Sequence, residues 1–380
     1  MKARGVHLEY SFQRAAQQGA ALTNPLFDLL QAVHEQGSIQ QAARALGASY
    51  RHVWGALKRW EDTLGEPLVT WAQGQPARLT PFADLLLWAE RSARARLAPH
   101  IEALRAELQH VLVEALDGTQ QVLAIHASHD LALPLLRERA AAAGLHLELR
   151  FTGSIDALRA LAEGRCTVAG FHVPPLTDSR NVFARSLKPL LKPGRHKLIG
   201  CMQRRHGLIV AAGNPLGLQS LADAVGTRFV HRQPGSGTWL LTAHLLAQHG
   251  LPPDALPLLA TRVEHSHLAV AAAVASASAD AGLGIEAAAA HYGLSFVPLV
   301  DESYFLVCLK DVLEHPAVLR LRELLSGPDW PPLLAGLPGY APDRPGEVLS
   351  LTRALPWWNY RRPRNAAAPG RAARSEIAPL

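Results

Sequence analysis

The sequence predicts an α/β protein with an α-rich N-terminal part: a winged helix-turn-helix, a long connecting helix and a two-lobed α/β domain. Three observations carry this. Residues 22–82 hold three short helical periodicities followed by two short strand-like runs. Residues 81–116 are rich in Ala, Leu, Glu and Arg and contain no glycine. Beyond Gly118, short apolar runs alternate with helical patterns, the spacing of parallel α/β sheets. A chain of 380 residues also exceeds one ordinary core, and 48% apolar residues at a mean hydropathy of +0.04 exclude disorder throughout.

Leu26, Leu29, Leu30 and Val33 share one face of a first helix between Asn24 and Gln36, and Gly37 suits its end. Ser38-Ile39-Gln40-Gln41 has the form of a capping box. It opens a second helix, Ile39 to Leu46, with Ile39, Ala42, Ala43 and Leu46 facing inward. Gly47 can supply a left-handed turn, and Ser49 can cap a third helix, Tyr50 to Leu64, whose Val53, Leu57 and Trp60 fall on one face. Pro67–Trp71 and Ala77–Thr80, on either side of a turn, read as the strands of a wing. The long helix then runs from Pro81 to about Leu116 with one interruption at Pro99. Its Leu85, Leu86, Ala89, Ala93, Leu97, Ile101, Leu104, Leu108 and Leu112 recur at helical spacing, which suits pairing with a second copy; packing on its own domain is the alternative.

In the second half, Val122–Ile125, Leu147–Phe151, Val168–Phe171, Leu208–Val210, Arg228–Val230 and Ser295–Val297 read as strands. Helices are expected from about Leu131, from about Ile155 and over Trp239–His249, with a buried one in the Ala-rich run Ala269–Ala279. Some 220 residues of this pattern suit two small lobes around a cleft, and the stretch after Trp358 has the composition of a disordered tail.

The formal net charge of +6 invites a nucleic-acid reading, but residues 21–82 carry five basic and five acidic side chains. The excess sits at the ends, in Lys2, Arg4 and Arg14 and in five arginines after residue 355. DNA binding must therefore come from local placement of charge. Cys166, Cys201 and Cys308 are odd in number and far apart, which argues against a disulfide framework or thiolate zinc site and fits a reducing compartment. The N-terminal run lacks the apolar core of a signal peptide, and no segment approaches the roughly 20 apolar residues of a membrane span, so a cytoplasmic protein without membrane attachment is expected.

In a helix-turn-helix, the N-terminal residues of the third helix meet base edges. Here these are Ser49, Tyr50, Arg51 and His52, with Lys58 and Arg59 further along and Ser38 and Gln40 at the start of the second helix. Arg51 is the residue expected to read a base, because its fork can hold guanine O6 and N7 together, and Arg78 on the wing is expected at phosphate. The alternative is a helical protein-interaction domain with ordinary solvated side chains. The run GSIQQAARALGASYRHVWGALKRWEDTLGEPLV, followed by ARLTPFADLLL, resembles the N-terminal domain shared by LysR-type regulators and molybdate-responsive ModE-type regulators. The stretch Ser49–Leu57, with its Ser-Tyr start and internal tryptophan, is closer to the ModE form.

For the second half, the loop Arg232-Gln233-Pro234-Gly235-Ser236-Gly237-Thr238 lies between a strand and a helix. Its glycines allow close approach, and its N–H groups and the Ser236 and Thr238 hydroxyls face the helix N-terminus, where an anion is favoured. Ala127-Ser128-His129-Asp130 and Thr152-Gly153-Ser154 occupy equivalent turns, with helix capping without ligand contact the alternative for Ser128 and Ser154; His265-Ser266-His267 would put both rings on one face of an extended segment, and Ser266 and His267 are further candidates for the ligand. The histidines, including His126, His172, His231 and His265, show no recognisable metal spacing with carboxylate or cysteine, so hydrogen bonding is expected of them and no metal. No G-x-S-x-G, H-E-x-x-H or Walker loop is present, and no enzyme activity is expected.

The segments His231–Thr238 and Asp280–Ile285 resemble the periplasmic-binding-protein-like (type II) domain found fused to such DNA-binding domains and to molybdopterin-biosynthesis proteins. The resemblance implies a flexible N-terminus over 1–21, a winged helix-turn-helix over 22–82, a linker and dimerisation helix over 83–118, a sensor over 119–345 and a tail over 346–380. Lobe I of the sensor would comprise about 119–205 and 300–345, and lobe II about 206–299. It implies a homodimeric or homotetrameric transcription regulator acting on a double-stranded operator. No cofactor is expected to be tightly bound, and molybdate, tungstate or a molybdenum-cofactor species is the expected effector. The alternatives are a LysR-type sensor of a small organic anion and a molybdopterin-handling enzyme with a regulatory N-terminal domain.

Overall fold

The computed structural model describes residues 24–70, 76–116, 121–257 and 263–358. The expected flexible N-terminus, the wing turn and the tail beyond Trp358 lie outside these residues.

Each N-terminal helix starts where its capping residue dictates. Helix α1 (Pro25–Gln36) begins after Asn24, whose side chain accepts from the Leu26 N–H at 3.0 Å. Helix α2 (Ile39–Ala45) begins after Ser38, which accepts from Gln41 N–H at 3.4 Å, and α3 (Tyr50–Leu64) after Ser49, which accepts from His52 N–H at 3.2 Å. Between α2 and α3, Gly47 takes a φ of +64°, a left-handed value that side chains rarely adopt. Strands β1 (Val69–Thr70) and β2 (Arg78–Leu79) pair antiparallel as the wing. Leu30, Val33, Val53, Leu57 and Leu68 close the core beneath them. Leu46, expected inward, is exposed, because α2 stops one residue earlier.

Helix α4 (Pro81–Leu116) runs unbroken through Pro99. The expected apolar stripe does not face a single partner. Ala83 and Leu87 enter the winged-helix core and Ala95 packs against the second half, whereas Leu85, Leu97 and Leu104 are exposed. The split arises because α4 serves two bodies in turn, one at each stretch of its length. The expected position Leu112 falls where side chains lie outside the described set.

The second half contributes β3 (Gln121–Ser128), α5 (Ala132–Ala142), β4 (Leu145–Thr152), α6 (Ser154–Ala162), β5 (Val168–Val173), α7 (Val182–Leu187) and the 15-residue β6 (His196–Val210). It continues with β7 (Phe229–Arg232), α8 (Gly237–Gln248), β8 (Val263–Glu264), α9 (His267–Ala275), β9 (Ala281–Ile285), α10 (Glu286–His291) and the 15-residue β10 (Ser295–Leu309). Helices α11 (Pro316–Ser326) and α12 (Trp330–Ala335), strands β11 (Tyr340–Pro342) and β12 (Val348–Leu349), and helix α13 (Leu351–Ala354) complete it.

The strands form one sheet ordered β4-β3-β5-β10-β6-β9-β7-β8, with β11 and β12 also pairing with β6. The sheet is mixed, which corrects the expectation of parallel sheets. Its two wings are parallel, β3 with β4 and β5 on one side and β7 with β8 and β9 on the other. Between them β6 and β10 run antiparallel to each other and pass from one wing into the other. Apolar clusters cover both faces, one around Leu147, Leu306 and Trp330, the other around Phe171, Leu241 and Trp357. Residues 346–358, expected in the tail, are packed: Val348 pairs with Ile199 and the Trp357 ring is fully buried. Among the described residues no helix is long and apolar enough to cross a membrane.

Candidate functional site

The first functional surface is the outer face of α3. Tyr50, Arg51, His52, Lys58 and Arg59 are exposed there, Gln40 on α2 and Arg78 on the wing are exposed as well, and Ser38 is half-buried. The hydroxyls of Ser38 and Ser49 are occupied as helix caps, so their first role is to fix the helix starts. Tyr50 and Trp54 stack at 6.4 Å with rings nearly parallel, and Lys58 lies 5.0 Å above the Trp54 ring while pairing with Glu61 at 2.6 Å. Lys58 is therefore a less available phosphate contact than Arg51 or Arg59.

The second site is built where β6 and β10 cross between the wings. Arg204 on β6 and Glu302 on β10 stand opposite each other, both fully buried, with Arg204 Nε donating to Glu302 Oε1 at 2.8 Å. Arg204 Nη1 donates to Asp130 Oδ2 at 2.5 Å, and Tyr340 O–H donates to the same carboxylate at 3.0 Å. Arg204 Nη2 donates to His172 Nδ1 at 3.0 Å. A nitrogen that accepts is unprotonated, so neutral His172 carries its proton on Nε2. Likewise His206 Nδ1 lies 3.1 Å from Glu302 Oε1, which can only accept when ionised, so His206 carries its proton on Nδ1.

Electrostatics agree with these assignments. Burial, together with the Arg204 and Arg232 cations, pushes His129 and His172 down to about 3 and lowers His206 and His267, so all four rings are neutral. Burial alone would raise the Glu302 carboxyl, but the Arg204 guanidinium and the hydrogen bond from His206 hold it well below the usual carboxylate range. Burial and the neighbouring Arg204 push the Arg232 guanidinium down to about 9.

Loops from the two wings close over this centre. A Cβ added to Gly153 would stand 3.0 Å from the Gly235 carbonyl oxygen, and one added to Gly237 only 2.0 Å from His172 Nε2. Gly153 lies where facing loops approach at backbone distance, and Gly237 where the start of α8 packs against the His172 ring of β5. His267 packs 5.4 Å from His206 and 6.5 Å from His129, ring centre to ring centre.

What marks the cluster as a binding site is its unmet hydrogen bonding. Ser154 Oγ, His129 Nδ1, His172 Nε2, His206 Nε2, Arg232 Nη1, Thr238 Oγ1, His267 Nδ1 and Glu302 Oε2 are buried atoms with no hydrogen-bond partner among the described residues. Buried polar atoms are ordinarily satisfied, and so many unmet at one place call for a ligand or ordered water.

The residues expected from the sequence divide accordingly. Ser154, Arg232, Thr238, His129 and His267 supply unmet groups, while Gly153 and Gly235 form the facing loops and Gly237 the start of α8. Thr152, at the end of β4, shows no unmet group. Three serine hydroxyls already have partners within the protein. Ser236 donates to Gln233 C=O and caps α8, Ser266 donates to Ala95 C=O and caps α9, and Ser128 is engaged with His172 and Tyr304; each hydroxyl is used within the protein. Sequence reading missed Arg204, His206, Glu302, Tyr304 and Tyr340 as partners of the site. The signal was present as charge inside apolar runs, Arg204-Arg205-His206 and Asp301-Glu302, but it acquires meaning only through the β6–β10 register. His231 lies apart, 3.1 Å from the Leu256 carbonyl oxygen. Among the described residues no group of His, Cys, Asp or Glu is disposed to hold a metal ion.

Residues 136–326, half of the chain, match the model of the PBP superfamily domain. The chain belongs to the PBP superfamily. Ahead of that PBP domain, residues 26–84 match the model of the bacterial regulatory helix-turn-helix protein, lysR family. The uncharacterized protein YvgK of Bacillus subtilis (strain 168) is 29% identical over 239 residues, 62% of this chain and 76% of YvgK. The molybdenum-pterin-binding protein MopB of Rhodobacter capsulatus is 32% identical over 120 residues, 30% of this chain and 42% of MopB. Among solved structures, CbnR, a LysR family transcriptional regulator, is similar at a TM-score of 0.37 and 19% identity, covering 79% of this chain and 98% of CbnR. Full-length LysG from Corynebacterium glutamicum with bound effector Arg is similar at a TM-score of 0.35 and 21% identity, covering 80% of this chain and 96% of LysG.

Proposed function

We propose that the protein is a one-component regulator in which an anion-bearing effector, held between the wings of the PBP domain, alters through α4 how the winged helices sit on DNA. The observation that carries the effector class is Arg232. Its Nε and Nη2 are spent on the carbonyls of Glu264 and His265 at 3.2 and 3.1 Å, while Nη1 is buried and unpartnered. It stands at the end of β7 on the approach to α8, in the loop whose Gly235 meets Gly153, and the backbone N–H groups at the helix start favour negative charge. A small oxyanion or an oxyanion-bearing cofactor suits these donors. The likeness to the molybdenum-pterin-binding MopB and the ModE-like recognition helix favour molybdate, tungstate or a molybdenum-cofactor species within that class.

The exposed Leu97 and Leu104, seven residues apart on α4, support association into a homodimer or homotetramer through that helix. Two winged helices would then meet two half-sites of an operator. Calorimetric titration of the full chain with molybdate, tungstate and sulfate, repeated in the presence of a selected operator duplex, tests the proposal. Effector binding that changes operator affinity and disappears in Arg232→Ala is expected. If Arg232→Ala leaves every affinity unchanged, the effector site lies elsewhere.

A further inference from the structure

The buried cluster carries unmet groups of two opposite kinds. Donors are supplied by Arg232 Nη1, the hydroxyls of Thr238 and Ser154, and the N-terminus of the 12-residue helix α8. Acceptors are supplied by Glu302 and His206. Glu302 Oε1 accepts from Arg204 Nε at 2.8 Å and from His206 Nδ1 at 3.1 Å, whereas Oε2, fully buried, accepts from nothing and lies 3.7 Å from His172 Nε2. Because His206 gives its Nδ1 proton to Glu302, its Nε2 offers a lone pair, and that atom is also buried and unpartnered. Two buried acceptors of this group therefore lack a hydrogen, since the donor that faces Oε2, His172 Nε2–H at 3.7 Å, is beyond hydrogen-bond reach.

We infer that the effector is an amphoteric organic molecule, with an acidic group for Arg232 and at least two N–H or O–H donors for Glu302 Oε2 and His206 Nε2, which narrows the class proposed above to oxyanion-bearing organic species and away from bare molybdate or tungstate. A carboxylate or phosphate ester carrying an amide–amidine edge, a guanidino group or an ammonium group satisfies both kinds. A molybdate or sulfate dianion satisfies only the donors and brings like charge to the cluster that holds the buried Glu302 carboxylate. Carboxylates buried beside a ligand select for donors because the analogue lacking them leaves the oxygen unpaired.

The inference rests on the buried cluster being the effector site, and the test separates the two. The full chain is titrated with donor-bearing anions (pterin-6-carboxylate, guanidinoacetate, glutamate) and with acceptor-only anions (molybdate, sulfate, benzoate), and the tightest binder of each kind is repeated with Glu302→Gln and Arg232→Ala. Arg232→Ala should weaken every ligand. Glu302→Gln keeps an acceptor for Arg204 but can turn an N–H toward the ligand, so it should weaken a donor-bearing ligand by about tenfold or more and leave an acceptor-only anion unchanged or tighter. Thermal melting of each variant reports whether it folds, and the ranking of wild-type affinities needs no variant at all. An acceptor-only anion that outbinds every donor-bearing probe, with Arg232→Ala still abolishing it, overturns the inference and spares the site. Binding indifferent to Arg232→Ala, or no binding of any probe, overturns both.

Discussion

Ser266 donates its hydroxyl to the backbone carbonyl of Ala95 at 3.2 Å, joining the first turn of α9 to the middle of α4. One residue on along α4, Arg96 grips the buried Glu264 carboxylate with Nε at 3.0 Å and Nη2 at 2.7 Å, while the Glu264 carbonyl accepts from Arg232 Nε. From the unpartnered Arg232 Nη1 to the linker helix there is thus one intervening residue. Arg91 adds a third tie, its guanidinium lying 4.8 Å from the Trp88 ring and 5.8 Å from that of Tyr292. Arg232 and α4 thus share Glu264, the one through its backbone carbonyl and the other through its carboxylate.

Ser266→Ala should therefore uncouple more than it unbinds. Loss of the α9 cap costs about 1 kcal/mol of stability, and the site keeps every unmet group named above. Effector affinity is expected within about threefold of wild type, since none of the altered atoms is offered to the ligand. The ratio of operator affinities with and without effector should shrink, as it should in Glu264→Gln. Unchanged ratios in both variants, measured by fluorescence anisotropy, would reduce these contacts to packing.

At the DNA surface, Arg51→Ala is expected to weaken operator binding by about 1–3 kcal/mol while leaving the melting temperature in place, because Arg51 is exposed and caps nothing. Lys58→Ala should cost less, its ammonium being already shared with Glu61 and the Trp54 face. A salt titration separates the two roles: loss of a phosphate contact lowers the salt slope, and loss of a base contact relaxes sequence preference. Equal losses on all sequences for Arg51→Ala would contradict base readout.

Acid should destabilise the PBP domain before it affects the helices of the DNA-binding module. His129 and His172, pushed down to about 3 chiefly by burial, are neutral when folded and take up protons when unfolded below their ordinary value of about 6.5. Their contribution to stability is complete above that pH and is lost as the pH falls toward 3, at about 1.4 kcal/mol per pH unit for each ring. His206 and His267 are lowered too and act in the same direction, and Glu302 adds to the loss below about pH 4.5. Calorimetric melts between about pH 7.5 and 5.5 should show the second-half transition falling by several degrees. A transition flat over that range would mean the rings are not buried neutral.

The winged helix was legible because its instructions are local. Asn24, Ser38 and Ser49 each cap the helix that follows them, and Gly47 turns between two of them. The candidate site was half legible for the same reason. Its loop residues sit at helix starts and announce themselves by Gly-Ser-Gly-Thr, whereas Arg204, Glu302 and Asp130 meet only when β6 and β10 pair over their full length. Both strands carry charge in mid-run, which breaks the apolar pattern that marks a strand, so only Leu208–Val210 and Ser295–Val297 could be read from them. Long-range pairing rescues those charges by giving each a partner, and no window of sequence contains that information.

Gly237→Ala tests whether closure of the two wings depends on the approach of α8 to the His172 ring. The added methyl would lie 2.0 Å from His172 Nε2 and 2.6 Å from Cε1, an overlap that something must relieve. The ring is poorly placed to retreat, since its Nδ1 is held by Arg204 Nη2 at 3.0 Å and lies 3.2 Å from Ser128 Oγ. The start of α8 must withdraw instead, carrying Thr238 away from the site. Overpacking of this kind costs about 1–3 kcal/mol, and effector binding should fall by more than stability alone explains, because the donors on α8 no longer converge with Arg232. Adding His172→Ala to Gly237→Ala makes room for the methyl and should restore much of the melting temperature without restoring affinity. If the double variant melts no higher than Gly237→Ala, the overlap with His172 is not what limits the closed form.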